Sequence, residues 1–349
     1  MDYNKIGRTD IRVSRICLGT MTWGEQNTSQ DAYDQMDYAV AQGVNFIDTA
    51  ELYPVPRSRK SFGLTEEYIG NWLTERGGRD KIILGTKVVG RSMDNWFRPD
   101  ADITRLNRQQ IIHALEGSLR RLKTDYIDLY QLHWPDRPMN LFADSRGYIH
   151  NVEEDSIPLS ETLGVLDDLV KQGKIRHIGL SNETPWGVMK CLHHAEADKL
   201  PRVQSVQNAY SLLNRLYEQG LSEVSLREDI SLLAYSPLGG GSLSGKYLNG
   251  HLPEGSRQQL FPGFADRYTK PGVDAAIGKY RMLAEDAGLT PVQLALKFVD
   301  SRPFVAASII GATTMTQLRE NMAAFDTVWT DELEQAVNKI HLENPDPAP

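Results

Sequence analysis

The chain has 349 residues, 40% of them hydrophobic, and 38 basic against 46 acidic side chains give a formal net charge of −8. That balance argues against general affinity for nucleic acid or an anionic membrane, since both select a broad basic surface; a local basic cluster could still hold a small anion. The length suits two average domains or one α/β barrel, and no apolar run approaches the ~18 residues of a membrane span.

The opening YNKIGRTDIRVSRICLG sets two extended segments about a turn signal at Gly7–Asp10 and predicts a β-hairpin over about residues 1–14. MDYNKIGRTD lacks the pattern of a signal peptide, and Cys17 and Cys191 stand far apart without metal-type spacing. Reduced structural thiols and a cytoplasmic location are expected.

Short apolar runs then alternate with helical patterns. The strand candidates are RICLG (15–19), NFIDTA (45–50), KIILGTKV (81–88), YIDLYQLH (126–133), IRHIGLSN (175–182), SVQNAY (205–210), ISLLAYSPL (230–238) and AASIIGA (306–312). Between them, residues 29–43 place Ala32, Met36, Ala39 and Val40 on one face, and residues 107–122 start at an Asn cap and repeat Ile111, Leu115, Leu119 and Leu122. Residues 160–174 open Ser160–Glu161 with Leu163, Leu166 and Leu169 at helical spacing. Eight strand–helix units predict an α/β fold, a (β/α)8 TIM barrel with an N-terminal β-hairpin, as a single domain over residues 1–349. Long connections at 89–103, 134–158 and 239–270 follow strands and belong at the C-terminal mouth. The tail 344–349, NPDPAP, is expected to be flexible.

The strand interiors are apolar but their C-terminal ends are polar, which points to one shared site at the mouth. Asp48, Lys87 and His133 close three strands, and Tyr53 follows Asp48 by five residues. A free tyrosine titrates near ~10; a neighbouring ammonium is expected to lower that toward working pH, and Asp48 can serve as the lysine's counter-ion. His133 could hydrogen-bond a substrate carbonyl. Such a set suits protonation of a carbonyl oxygen while hydride arrives at carbon, and no side chain supplies hydride, so a nicotinamide is required. Singly, each residue has a structural alternative: a cap for Asp48, a half-buried loop aromatic for Tyr53, a packed histidine for His133. Their joint occurrence on neighbouring strand ends carries the argument. No clustered metal-ligand set is present at those ends, and no metal is expected.

With these segments in hand, the chain resembles the aldo-keto reductase superfamily along nearly its whole length. GVNFIDTAELYP, LGTKV, YIDLYQLHWP and GKIRHIGLSN match its strand motifs, and LLAYSPLGGGSLSGKY and IIGATTMTQLRENMAA its cofactor segments. LGTMTWGEQN and NAYSLLNR are most similar to the bacterial Tas-type NADP(H)-dependent branch. The resemblance implies Tyr53 as proton donor, assisted by Lys87, Asp48 and His133. It implies Ser181, Asn182 and Gln207 on the nicotinamide carboxamide, Tyr235 stacked under the ring, and Thr20 and Met21 beside the cofactor. Ser236, Pro237, Leu238, Gly239, Gly240, Gly241 and Lys246 would wrap the pyrophosphate, where glycines admit close approach of backbone N–H groups. Gly311, Thr313, Gln317, Glu320 and Asn321 would hold the adenosine end. Many family members carry Lys and Arg at the positions of Gly311 and Gln317, where they bind the 2′-phosphate; both are uncharged here, and it is the resemblance that favours NADP(H), with Arg257 and Lys246 as phosphate partners, while use of NAD(H) stays open. A solvated loop charge is the alternative for Arg257. Trp23, Trp96 and Trp134, with Phe97, are candidates to wall an apolar substrate pocket, with ordinary packing as their alternative.

Two functions are therefore expected to compete: NADPH-dependent reduction of a small carbonyl substrate, and a nucleotide-binding redox sensor or auxiliary subunit with slow turnover. Neither nucleic acid nor membrane is an expected partner, and either a monomer or a homo-oligomer is compatible with the helical exteriors.

Overall fold

A computed structural model describes every residue except Pro99 and 140–154. The predicted hairpin forms from β1 (Tyr3–Lys5) and β2 (Arg12–Ser14), antiparallel with Tyr3 opposite Ser14. Thr9 closes its turn by donating its hydroxyl to Ile6 O at 2.7 Å, and Gly7, at φ 50°, lets the backbone pass against Gln204 where a Cβ would clash at 2.5 Å.

The eight barrel strands are β3 (Ile16–Gly19), β4 (Phe46–Asp48), β5 (Ile83–Val88), β6 (Ile127–Leu132), β7 (Ile175–Ser181), β8 (Val203–Ala209), β9 (Ser231–Tyr235) and β10 (Val305–Ile310). They close in the order β10-β3-β4-β5-β6-β7-β8-β9 with every neighbour parallel. The fold is the expected (β/α)8 barrel, and all eight strand candidates are strands within a few residues of the expected limits. Ile6 and Val13 of the hairpin share one buried cluster with the inward-facing Cys17, Phe46, Leu129 and Leu233, so the hairpin closes the N-terminal end of the barrel. A larger apolar layer lies between the strands and the helices. Both cysteines are free and buried.

Local chemistry sets the helix starts. Thr28 and Asp31 form a capping box at Ser29–Ala41, and Asn107 accepts from Gln110 N at the start of Arg108–Leu122. The helix expected from Ser160 instead begins at Leu159 behind Pro158, without a side-chain cap; the proline's fixed φ makes the entry.

Of the three long connections, 89–103 carries a 3-10 turn at Asn95–Phe97. The second, 134–158, falls largely outside the described residues. The third, 239–270, holds 3-10 turns at Gly239–Ser244, Leu248–Gly250 and Asp266–Tyr268 and a helical turn at Arg257–Leu260. The expected flexible tail is docked instead: Ala348 is fully buried and donates to Leu213 O at 3.0 Å, and Asp346 accepts from Arg215 N at 2.5 Å. Composition alone reads NPDPAP as a coil; the recess beside Leu213 is a tertiary feature. Among the described residues no helix is long and apolar enough to cross a membrane, and no group of His, Cys, Asp and Glu is arranged to hold a metal ion.

Candidate active site

Parallel strands bring their C-terminal ends to one mouth, so residues far apart in sequence meet there. Asp48 is the last residue of β4, Lys87 the penultimate residue of β5, and His133 follows β6 directly. Lys87, 0% exposed, places Nζ 2.6 Å from Asp48 Oδ2 and 2.7 Å from the Thr49 carbonyl oxygen. The same ammonium stands 3.5 Å from Tyr53 Oη. The Tyr53 and His133 rings meet edge to face with centroids 5.8 Å apart. All four expected catalytic groups are thus in one cluster.

Their electrostatics differ in one respect from the sequence expectation. Burial pushes the Tyr53 phenol up from its ordinary 10.0; the Lys87 charge opposes that shift and Asp48 adds to it. Desolvation outweighs the ammonium, so Tyr53 is held as a neutral phenol rather than poised toward phenolate. Burial also works against the Lys87 ammonium, but Asp48 and Tyr53 outweigh it and hold Lys87 above the usual lysine range. His133 is held well below 6.5 by burial and by the Lys87 and Arg57 charges, which leaves a neutral imidazole at pH 7. Its Nδ1 is buried with no hydrogen-bond partner among the described residues.

Ser181, Asn182, Gln207 and Tyr235 lie on the adjoining strand ends. Ser181 Oγ donates to Gln207 O at 2.8 Å, and Asn182 Nδ2 donates to His133 O at 2.8 Å. Tyr235 Oη donates to Asn182 Oδ1 at 2.6 Å; burial raises its phenol to about 12 against the opposing charge of Arg267. Gln207 Nε2 donates to Asp48 Oδ1 at 2.8 Å, joining this group to the catalytic cluster. Thr20 is buried with Oγ1 donating to Asp48 O at 2.9 Å, and Met21 packs against the cluster containing Tyr53.

Beyond Tyr235 the chain turns through Ser236 at φ 53°, then Pro237 and Leu238, into Gly239, Gly240 and Gly241 at φ 57°, 63° and 97°. A Cβ on Gly240 would meet the Tyr268 ring at 3.1 Å, and one on Gly241 would meet Lys246 Cε at 3.1 Å. Arg257 Nε reaches Gln26 Oε1 at 3.5 Å, which ties the 239–270 connection to the loop after β3. Among the described residues no acidic side chain pairs with Arg257. At the last barrel helix, Met315–Ala323, Thr314 caps by accepting from Gln317 N, Gln317 Oε1 accepts from Thr313 N at 3.0 Å, and Asn321 Nδ2 donates to Gly311 O at 3.2 Å. Glu320 is exposed on the same helix. The left-handed glycine turn after Tyr235, Lys246 and Arg257 on the same connection, and the polar strand ends at Ser181, Asn182 and Gln207 fit a phosphate-bearing nicotinamide cofactor.

The aromatic expectations divide. Trp134 lies with its ring centroid 5.0 Å from that of His133, and Trp96 lies tilted against Phe97 with centroids 3.9 Å apart; Trp134, Trp96 and Phe97 share one cluster with Tyr53. Trp23 is fully enclosed in the main core, with Nε1 donating to Gln35 Oε1 at 3.2 Å, and does not wall the pocket. Its position after β3 suggested the mouth, but the chain folds its ring back under the next helix.

Two features went unread in the sequence. Arg98 makes a buried bidentate pair with Glu51, at 2.7 and 2.9 Å, and so anchors the Trp96–Phe97 turn beside Tyr53. Gln131, inside β6, donates to Asp48 Oδ1 at 3.1 Å. Its signal was available: Leu129, Gln131 and His133 fall on one face at period two, and a polar residue facing into a barrel needs a partner.

The comparisons agree with this geometry. The profile of the Aldo/keto reductase family matches residues 15–341. Protein tas of Escherichia coli is 48% identical over 351 residues, covering all of both chains. An uncharacterized oxidoreductase of Bacillus subtilis, YrpG, is 33% identical across 97% of this chain and 96% of its own length. A probable voltage-gated potassium channel subunit beta of Arabidopsis thaliana is 29% identical across 94% of this chain and 92% of its own. With the closed barrel and the clustered Asp48, Tyr53, Lys87 and His133 in place, the chain belongs to the aldo/keto reductase family of oxidoreductases.

Proposed function

We propose that the protein is an NADPH-dependent reductase that converts aldehydes and ketones to alcohols, working in the cytoplasm on a small carbonyl substrate as a monomer or homo-oligomer. The observation that carries this reading is the Asp48–Lys87–Tyr53 contact, a neutral phenol 3.5 Å from a buried ammonium. The cofactor, when bound, supplies hydride to the carbonyl carbon. Tyr53 donates its proton to the oxygen, and Lys87 stabilises the phenolate left behind, with Asp48 holding the lysine in place. His133, neutral, offers an N–H to the carbonyl oxygen. Trp96, Phe97 and Trp134 supply an apolar wall. Ser181, Asn182 and Gln207 would hold the carboxamide, Tyr235 the ring, and the Gly239–Gly241 turn with Lys246 and Arg257 the phosphates. NADP(H) is favoured by those cations, with NAD(H) as a second cofactor.

The test is the absorbance decay of NADPH with a reactive aromatic aldehyde, for wild type and Tyr53→Phe. Clear turnover that collapses in a variant still binding NADPH supports the reading. Tight NADPH binding with negligible wild-type turnover across several aldehydes replaces it with the nucleotide-binding sensor.

A further inference from the structure

The Asp48 carboxylate receives Lys87 on Oδ2 and two amides on Oδ1: Gln207 Nε2 at 2.8 Å and Gln131 Nε2 at 3.1 Å. Gln207 Nε2 also donates to Gln131 Oε1 at 3.1 Å. A carboxylate only accepts, so both amides must turn their NH2 groups toward it. Reversing Gln131 would set its oxygen against Asp48 and its NH2 against that of Gln207. Reversing Gln207 would set its oxygen against two acceptors at once. One arrangement of the pair satisfies every contact, so the network itself assigns the amide orientations.

In that arrangement both N–H bonds of Gln207 are spent on Asp48 and Gln131, and its Oε1 accepts from no group among the described residues. Gln207 can therefore meet a ligand only as an acceptor. Gln131 is 0% exposed. On the flanking strands Lys87 and Gly179 stand in register with Gln131, and Gly85, in register with Leu129, lies beneath its amide. A Cβ on Gly179 would come within 3.2 Å of Gln131 Cγ, and one on Gly85 within 3.5 Å of its Nε2. The barrel leaves room for this one long amide and packs it in place.

We propose that Gln131 is a positioning residue: it locks Gln207 with its carbonyl oxygen free, so that the site selects a nicotinamide carrying a primary carboxamide, whose NH2 donates to Gln207 Oε1. Through Asp48 the same amide steadies Lys87 and Tyr53, which couples the cofactor seat to the proton donor. This deepens, and rests on, the reading of the site as a nicotinamide-dependent reductase.

The test compares binding of NADPH with that of its reduced 3-acetylpyridine analogue, which keeps the carbonyl but replaces the amide NH2 by methyl, using quenching of tryptophan fluorescence. Wild type is expected to bind NADPH more tightly. Gln131→Met should lose about tenfold in NADPH affinity, the weight of one well-made hydrogen bond, and less than about twofold for the analogue. Gln131→Asn, which draws the amide back by one methylene, should show the same selective loss and serves if Gln131→Met does not fold. Equal losses for both cofactors would mark Gln131 as packing only and overturn the proposal, as would no loss for either. A wild type indifferent to the amide overturns it without any variant. A wild type that binds neither cofactor overturns the reductase reading as well.

Discussion

Lys87 Nζ lies 2.6 Å from Asp48 Oδ2 but 3.5 Å from Tyr53 Oη, so the lysine is held by the carboxylate and merely faces the phenol. A strong ion pair keeps the ammonium charged in a fully buried position, and burial of the phenol, which the longer Lys87 contact does not overcome, leaves Tyr53 protonated. The contact becomes most valuable when the phenol gives up its proton, because phenolate beside a desolvated ammonium is favoured far more than phenol. Stabilisation concentrated on the product of proton transfer is what an acid catalyst needs.

Lys87→Met should therefore reduce kcat for aldehyde reduction by on the order of 10²–10³-fold with little change in cofactor affinity. It also strands the Asp48 carboxylate in the barrel, where breaking a buried pair costs about 3–5 kcal/mol. Steady-state kinetics with a cofactor titration, and thermal unfolding of the same sample, read both effects. Unchanged kcat in a folded variant removes Lys87 from the mechanism.

The pH profile follows from two displaced groups. Reduction needs Tyr53 protonated, and its phenol is raised above 10.0, so kcat/KM should hold through neutral pH and fall only as pH rises beyond that value. His133 is depressed well below 6.5, so its imidazole is already neutral there and no inflection should appear near pH 6.5. A profile of kcat/KM from pH 5.5 to 10.5 checks both; a decline centred near neutral pH contradicts the Tyr53 assignment.

Arg98→Met leaves Glu51 buried without its partner and should destabilise the protein by about 3–5 kcal/mol. The turn carrying Trp96 and Phe97 loses its anchor, so KM for an aromatic aldehyde should rise more than kcat falls. Adding Glu51→Gln should recover much of the stability but not the KM. Chemical denaturation and substrate titration on the single and double variants separate the two contributions.

Arg257→Met should weaken NADPH binding by about tenfold or more, in keeping with loss of a hydrogen bond to a charged group, while NADH binding changes little. Fluorescence titration with each cofactor reads the difference. Equal losses would show that Arg257 does not distinguish the two by their extra phosphate.

Much of this was legible in the chain itself. Phe46 and Ile47 followed by Asp48, and Leu84 followed by Lys87, mark buried strands with polar ends, because a parallel strand covered on both faces must be apolar until it reaches the mouth. Eight such units determined the barrel, and three polar strand ends, with the tyrosine five residues beyond one of them, determined the catalytic candidates. What remained hidden depended on groups brought together across the barrel. Only closure shows that burial outweighs Lys87 at Tyr53, because desolvation depends on everything packed around the phenol. Trp23 turned into the core, and Ala348 docked beside Leu213 with its N–H donating to that residue's carbonyl oxygen; such contacts form only in the folded chain, and no local pattern encodes them. Gln131 stood in plain view in YIDLYQLH, yet its partners, Asp48 and Gln207, lie 83 and 76 residues away in sequence. Sequence periodicity says which way a side chain points; the tertiary structure alone decides which donors and acceptors it meets.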